Sequence, residues 1–202
     1  MPLSIGIYLF DAVEVLDFAG PYEVFTTASR VAKKLHPQND DAPFEVFTIG
    51  KTKEAIHARA GLQLFPDFAF DAHPTIDVLL IPGGVVTQEL EIPELIQWIK
   101  TSAHHATLTA SICTGAFLLA KAGLLDGKKA TTHWEDSDEL ASMFPSLHVK
   151  TSQRWVDEGD IVTSGGISAG IDMSLHLVER LSNRTLALQT ARQMEFDWRE
   201  NS

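Results

Sequence analysis

The feature that most constrains the fold is an alternation, along nearly the whole chain, of short apolar runs with longer amphipathic segments. Five runs rich in β-branched residues predict strands at residues 4–10, 44–50, 77–81, 107–111 and 161–164. Apolar side chains at helical spacing predict helices at residues 21–35, 93–105, 115–122, 135–143, 172–181 and 185–194. Strands that alternate with helices usually form a parallel sheet with both faces covered. The pattern therefore predicts an α/β fold with a mainly parallel sheet sandwiched between helices.

The segments between these elements indicate one continuous domain. Residues 55–65 and 150–160 alternate loosely around Gly61 and Gly159, and we interpret each as a hairpin or an edge excursion of the sheet. The polar stretch 37–43 is interpreted as one surface loop. No repeat, low-complexity tract or linker is visible, and 202 residues suit a single domain spanning 1–202.

Composition limits the expected partners. The chain has 27 acidic and 16 basic residues, and its net charge of −11 would repel a phosphate backbone at long range. Its apolar runs are shorter than the roughly 20 residues that a membrane helix requires. No secretory pattern is visible at the N-terminus, and a single cysteine fits a reducing compartment. We expect a cytoplasmic protein with neither nucleic acid nor a membrane as partner.

The single cysteine, Cys113, lies between a predicted strand and a predicted helix. Ser111 and Gly115 stand two residues before and after it, as a nucleophile elbow requires, since the chain passes itself closely at such a turn. The start of the next helix would lower the pKa of the thiol and favour the thiolate. This spacing predicts a reactive thiol, and the alternative is a buried structural cysteine.

Two glycines, Gly83 and Gly84, follow the predicted strand 77–81 directly after Pro82. Ligands of such sheets bind beyond the carboxyl ends of the strands. A free amide at Gly84 could stabilise a developing anion, and an ordinary tight turn is the alternative interpretation.

Two side chains are candidates for proton transfer. Asp17 lies among apolar neighbours, where a carboxyl has a raised pKa and can act as general acid or base; it could equally cap the helix that Pro21 would begin. His133 ends a short strand-like run, where it could polarise the cysteine or bind substrate, or could simply be a packed residue. The adjacent pair His104 and His105 lacks further ligands at metal spacing, so we predict no metal.

Taken together, these motifs resemble the ThiJ/PfpI superfamily, whose members have a flavodoxin-like fold related to class I glutamine amidotransferases. The resemblance covers nearly the whole chain and rests on Asp17 with its neighbours, residues 82–84, the elbow at Cys113, and residues 131–134 and 163–172. It implies a flavodoxin-like α/β fold with a cysteine nucleophile elbow, a small-molecule substrate and a homodimer.

Within the superfamily, two residues distinguish between branches. The intracellular peptidases are expected to carry His where this chain has Thr114, and the glyoxalase and deglycase branch typically has Glu in place of Asp17. The combination with Cys113 resembles the isonitrile hydratases, which add water to an isonitrile to give an N-substituted formamide. The resemblance implies attack by Cys113, proton transfer and water activation by Asp17, and orientation of one reactant by Thr114, without a cofactor. Amides at Gly84 and Thr114 would stabilise negative character, and His133 would be a pocket residue.

The residues 131–134 and 168–172 also resemble the sensor halves of AraC-type regulators. Those proteins continue into a helix-turn-helix region, and the length and charge of this chain disfavour a stand-alone regulator. A ligand- or redox-sensing module and a glyoxalase- or deglycase-type enzyme acting on reactive aldehydes remain as alternatives.

Overall fold

The computed structural model describes residues 1–38 and 42–201. Its strands, in chain order, are β1 (Leu3–Tyr8), β2 (Phe44–Gly50), β3 (Ile56–His57), β4 (Gln63–Leu64), β5 (Phe68–Ala69), β6 (Val78–Ile81), β7 (Leu108–Ile112), β8 (Lys129–Ala130), β9 (His148–Val149), β10 (Trp155–Asp157) and β11 (Ile161–Ser164). Its helices are α1 (Val15–Leu35), α2 (Pro93–His105), α3 (Gly115–Lys121), α4 (Ser137–Met143), α5 (Ala169–Leu181) and α6 (Arg184–Gln193), with 3₁₀ turns at Arg59–Gly61, Glu89–Glu91 and Trp134–Asp136.

Seven strands form one sheet in the order β10-β11-β7-β6-β1-β2-β5. Every neighbouring pair in it is parallel except β10 with β11. The strands β6, β7 and β11 are buried at every position, as expected of a sheet covered on both faces. The α/β, mainly parallel fold predicted from the sequence is confirmed.

The helices pack in two groups. Helices α1, α5 and α6 contact one another. Of these, α1 also packs on β1 and β2, and α5 packs on β10 and β11. In the second group, α2 contacts α3, and α3 packs on β6 and β7. Registers that pair Ile81 with Ser111 and Ile112 with Ser164 bring the carboxyl ends of β6, β7 and β11 side by side. The loops that follow these three strands therefore meet at one edge of the sheet. None of the described helices is both long and apolar enough to cross a membrane.

The smaller predictions have different outcomes. Residues 55–65 form an antiparallel hairpin of β3 and β4, and β10 forms a hairpin with β11 around Gly159, which has a φ of 92°. Within the surface loop expected at 37–43, residues 39–41 lie outside the described residues. The helix expected at 135–143 is divided into a 3₁₀ turn and α4.

The predicted start of the first helix is wrong. Helix α1 begins at Val15, six residues before the expected position, and contains Pro21 in its interior. Asp17 therefore lies in the first helical turn, and Glu14 is the N-cap residue. Proline has no N–H, so Pro21 cannot donate the usual bond to the carbonyl of Asp17. The alternative of Asp17 as a helix cap is overturned.

Candidate functional site

Cys113 occupies a tight turn between β7 and α3. Its φ of 56° is in the left-handed region that a residue with a side chain rarely adopts. The amide of Cys113 donates to the carbonyl oxygens of Ser164 (3.2 Å) and Gly165 (3.3 Å), which fixes the turn against the end of β11. A Cβ at Gly115 would lie 2.1 Å from the carbonyl oxygen of Ile81, so glycine is required there. The elbow predicted from the sequence is present.

Asp17 interacts with this cysteine and is completely buried in the first turn of α1. Its Oδ2 accepts a hydrogen bond from the amide of Gly83 at 3.1 Å, and Oδ1 has no hydrogen-bond partner among the described residues. Burial raises the pKa of Asp17 to about 7, while the Gly83 amide, the Cys113 thiol and the Ile167 amide each act to lower it. Asp17 can therefore gain or lose a proton near neutral pH, as the general acid–base interpretation requires.

The thiol of Cys113 has the opposite perturbation from the one expected. Burial and the neighbouring Asp17 carboxylate raise its pKa to about 12, and the amide and hydroxyl of Thr114 oppose this rise. The expectation of a thiolate stabilised by the following helix is wrong for the resting protein. Helix α3 is only seven residues long, and its dipole is outweighed by burial and by a negative neighbour. Cys113 and Asp17 form a coupled pair in which the thiol is protonated at neutral pH.

Thr114 joins the elbow to the two glycines. Its hydroxyl accepts from the amide of Gly84 at 2.9 Å and donates to the carbonyl of Gly84 at 2.9 Å. The amide of Gly84 is therefore occupied, and the expectation of a free amide there is wrong. The amide of Gly83 is also in use, on Asp17. Gly83 allows no side chain, because a Cβ would lie 2.6 Å from the nitrogen of Thr114 and 2.9 Å from Asp17 Oδ2.

His133 lies near the elbow but is held by other groups. Its ring packs on Gly166, where a Cβ would be 2.2 Å from the ring carbon Cδ2. Its Nδ1 is 3.4 Å from the amide nitrogen of Glu135 and 3.3 Å from Asp136 Oδ2. The described residues include no hydrogen bond between His133 and Cys113. The neighbouring residue Thr132, which sequence reasoning missed, donates instead to the carbonyl of Cys113 at 2.8 Å.

A cleft of about 720 Å³ lies against the elbow. It is lined by residues 131–134, 137, 151–154 and 165–169. Sequence reasoning also missed Arg154 in this cleft, which pairs with the fully buried Asp172. The sequence of residues 163–172 gives no sign that Asp172 has a basic partner in the loop before β10. In the described part of the chain, no group of three or more His, Cys, Asp or Glu side chains is placed to hold a metal ion.

Comparison with known proteins finds a matching family and several relatives. The model of the DJ-1/PfpI family matches residues 3–180. The chain is 36% identical over 197 residues to an isonitrile hydratase of Pseudomonas putida, covering 97% of this chain and 79% of that protein. It is 30% identical to the HTH-type transcriptional regulator GbdR of Pseudomonas aeruginosa over 92% of this chain, but spans only 48% of the regulator. A solved ThiJ/PfpI family protein from Pseudomonas syringae superposes with a TM-score of 0.85 at 26% identity, covering 99% of this chain and 77% of that one.

Proposed function

Because the chain belongs to the DJ-1/PfpI family, we propose that it is a cysteine-dependent hydro-lyase that adds water to an isonitrile and releases an N-substituted formamide. The observation that carries the proposal is the buried pair of Cys113 and Asp17, in which a protonated thiol lies beside a carboxyl that titrates near neutral pH. The 36% identity to an isonitrile hydratase over nearly the whole chain supports it.

The first step uses the two reactive properties of an isonitrile carbon, which accepts a nucleophile and also takes up a proton. The Asp17 carboxylate removes the proton from the Cys113 thiol while the sulfur bonds to the terminal carbon. Asp17 then delivers that proton to the same carbon. The product is a thioimidate, R–N=CH–S–Cys113, and Asp17 is a carboxylate again.

The second step consumes water. Asp17 accepts a proton from a water molecule whose oxygen bonds to the thioimidate carbon, and delivers it to the imine nitrogen, which gives R–NH–CH(OH)–S–Cys113 with Asp17 again a carboxylate. Asp17 then takes the proton of the new hydroxyl group as the C–S bond breaks, returns this proton to the sulfur, and R–NH–CHO leaves. The balance is R–NC plus H₂O to R–NH–CHO, which needs no cofactor.

The remaining site residues would position these two groups. Thr114 holds the turn at Gly84, and its amide and hydroxyl act to lower the pKa of the Cys113 thiol. Gly83 supplies a hydrogen bond to Asp17, and Thr132 holds the strained turn through the Cys113 carbonyl. We place His133 in the substrate pocket rather than in proton transfer.

The test is formamide production from a panel of aliphatic and aromatic isonitriles. We expect turnover by the wild type, its loss in Cys113→Ala and Asp17→Asn, and strong impairment in Cys113→Ser, which keeps a hydrogen-bond donor but is a poorer nucleophile. Turnover that survives in Cys113→Ala would contradict covalent catalysis. Absence of turnover in the wild type, with correct folding shown by circular dichroism, would overturn the hydratase proposal.

A sensing module is the second candidate, supported by the match to half of a transcriptional regulator. A buried thiol whose pKa is raised to about 12 reacts slowly with oxidants, because the thiolate is the reactive form. Rapid oxidation of Cys113 by peroxide without turnover of isonitriles or of methylglyoxal would favour the sensor. We also expect the protein to be cytoplasmic and a homodimer. Light scattering of the purified protein tests the homodimer.

A further inference from the structure

The cleft beside the elbow contains one fixed charge. Its other lining residues are hydroxyl, amide, glycine and apolar side chains together with His133, and Arg154 alone among the described lining residues is permanently ionised. The chain as a whole carries a net charge of −11. A single guanidinium in the concave surface of an acidic protein points to a ligand that carries an anionic group.

The guanidinium of Arg154 is held in a fixed orientation. Its Nε donates to Asp172 Oδ2 at 2.8 Å, and its Nη2 makes a short hydrogen bond to the same oxygen. Asp172 is fully buried in the first turn of α5, and its Oδ1 accepts from the amide of Arg199 at 2.8 Å. The amide of Arg154 donates to Asn201 Oδ1 at 3.1 Å, so the C-terminal segment also anchors this residue.

The outer edge of the same guanidinium is available to a ligand. The side chain of Arg154 is 31% exposed, and its Nη1 makes no hydrogen bond to the described residues. Its Nη2 lies 3.4 Å from the hydroxyl of Ser168, which also lines the cleft. Since Asp172 already balances the charge of Arg154, a ligand would be recognised through directed hydrogen bonds, for which the planar guanidinium fork suits a carboxylate.

The cleft and the reactive cysteine share a wall, and Cys113 itself is not among the lining residues. Two lining residues hydrogen-bond the backbone of Cys113: Thr132 donates to its carbonyl, and the carbonyl of Gly165, like that of Ser164, accepts from its amide. We propose that Arg154 and Ser168 form a carboxylate subsite, so that the substrates are isonitriles whose side group ends in a carboxylate. The inference rests on the proposed function for the identity of the reacting group, and on the cleft alone for the carboxylate.

The kinetic test compares 3-isocyanopropanoate with its uncharged methyl ester. For wild type we expect kcat/KM to be about tenfold higher for the carboxylate, the size of one charge-assisted hydrogen bond. Arg154→Lys keeps a cation beside the buried Asp172 but loses the fork, and should lower the ratio of kcat/KM for the carboxylate to kcat/KM for the ester about tenfold, to near one. Arg180→Lys is the matched control, because Arg180 makes a similar pair with Asp157 outside the cleft. Equal values for the two substrates in the wild type would overturn the subsite.

A binding test separates this inference from the proposed reaction. Calorimetry with Cys113→Ala, which cannot turn over, should show that 3-formamidopropanoate binds about tenfold more tightly than its methyl ester, and that adding Arg154→Lys abolishes the difference. This result without any isonitrile turnover would retain the subsite and reject the hydratase. Turnover without any carboxylate preference would reject the subsite and retain the hydratase. If Arg154→Lys fails to fold, Ser168→Ala leaves the ion pair intact and should lower the preference severalfold; an unchanged preference would contradict the inference.

Discussion

Replacing Asp17 by asparagine should change how the stability of the protein depends on pH. Asparagine has the same shape and can still accept the hydrogen bond from Gly83, but it does not titrate. Burial raises the pKa of Asp17 from 3.8 to about 7 in the folded protein, whereas in the unfolded chain the group titrates at its ordinary value. Between these values the folded state binds more protons than the unfolded state, so wild-type stability falls as pH rises and the loss is complete above about pH 7.

The magnitude follows from the width of this window. At about 1.4 kcal/mol for each pH unit, the rise from 3.8 to about 7 corresponds to about 4 kcal/mol. The free energy of unfolding of Asp17→Asn, taken relative to wild type, should therefore increase by about that amount between about pH 4 and about pH 8. The variant that lacks activity is therefore expected to gain stability relative to the wild type as the pH rises.

Urea denaturation of wild type and Asp17→Asn across this pH range measures the effect. The difference between their free energies of unfolding cancels the contributions of groups that titrate alike in both proteins. Asp138→Asn, on the exposed surface of α4, controls for removal of a carboxylate as such. A difference between wild type and Asp17→Asn that stays constant from about pH 4 to about pH 8 would refute the reasoning, since it would mean that burial does not perturb this carboxyl.

Four further predictions concern the elbow and its supports. Gly115→Ala should unfold the protein or destabilise it by several kcal/mol in thermal denaturation, because its Cβ would overlap the Ile81 carbonyl. The control Gly165→Ala, whose Cβ has no contact under 3.5 Å, should be tolerated. Equal destabilisation by the two substitutions would contradict the close approach of Gly115 to Ile81. Thr114→Val should cost about 2 kcal/mol in urea denaturation by removing both bonds to Gly84, whereas Thr114→Ser should retain them; a neutral Val variant would contradict this. Thr132→Val should lower kcat more than it raises KM, since Thr132 holds the Cys113 carbonyl, and a change in KM alone would show a binding role instead. The pH profile of kcat/KM should rise through about pH 7 as Asp17 becomes a carboxylate, and a profile that falls there would reverse the assigned roles.

Features with local signals were predictable from the sequence. The strands at 44–50 and 161–164 and the helix at 93–105 have the predicted bounds, and Pro93 marks the start of that helix as a proline in the first turn should. The elbow was predictable for the same reason, because its requirement for small residues lies within two positions of the cysteine. The start of α1 was not, because the turn containing Asp17 is stabilised by burial against the site rather than by a local cap.

The chemistry of the site depended on contacts between distant segments. The sequence suggests a raised pKa for Asp17 from its apolar neighbours, and the structure agrees. It predicted a lowered pKa for Cys113, because the pattern around the elbow contains the helix but not the carboxylate of α1. The sequence also predicts a free amide at Gly84. This prediction is wrong because the hydrogen bond between Gly84 and Thr114 joins two loops that are distant in the sequence.

The occupied amides also bear on which reactions this site can perform. Hydrolysis of a peptide or ester passes through an oxyanion, which needs unoccupied donors beside the nucleophile. Here the amides of Gly83 and Gly84 are already bonded, to Asp17 and Thr114. Addition of a thiol and then water to an isonitrile requires no oxyanion, because each nucleophile arrives as its proton passes through Asp17. We infer that the hydrogen bonds that fix the acid beside the thiol make the two glycine amides unavailable to an oxyanion, which favours addition reactions in which charge does not accumulate on oxygen.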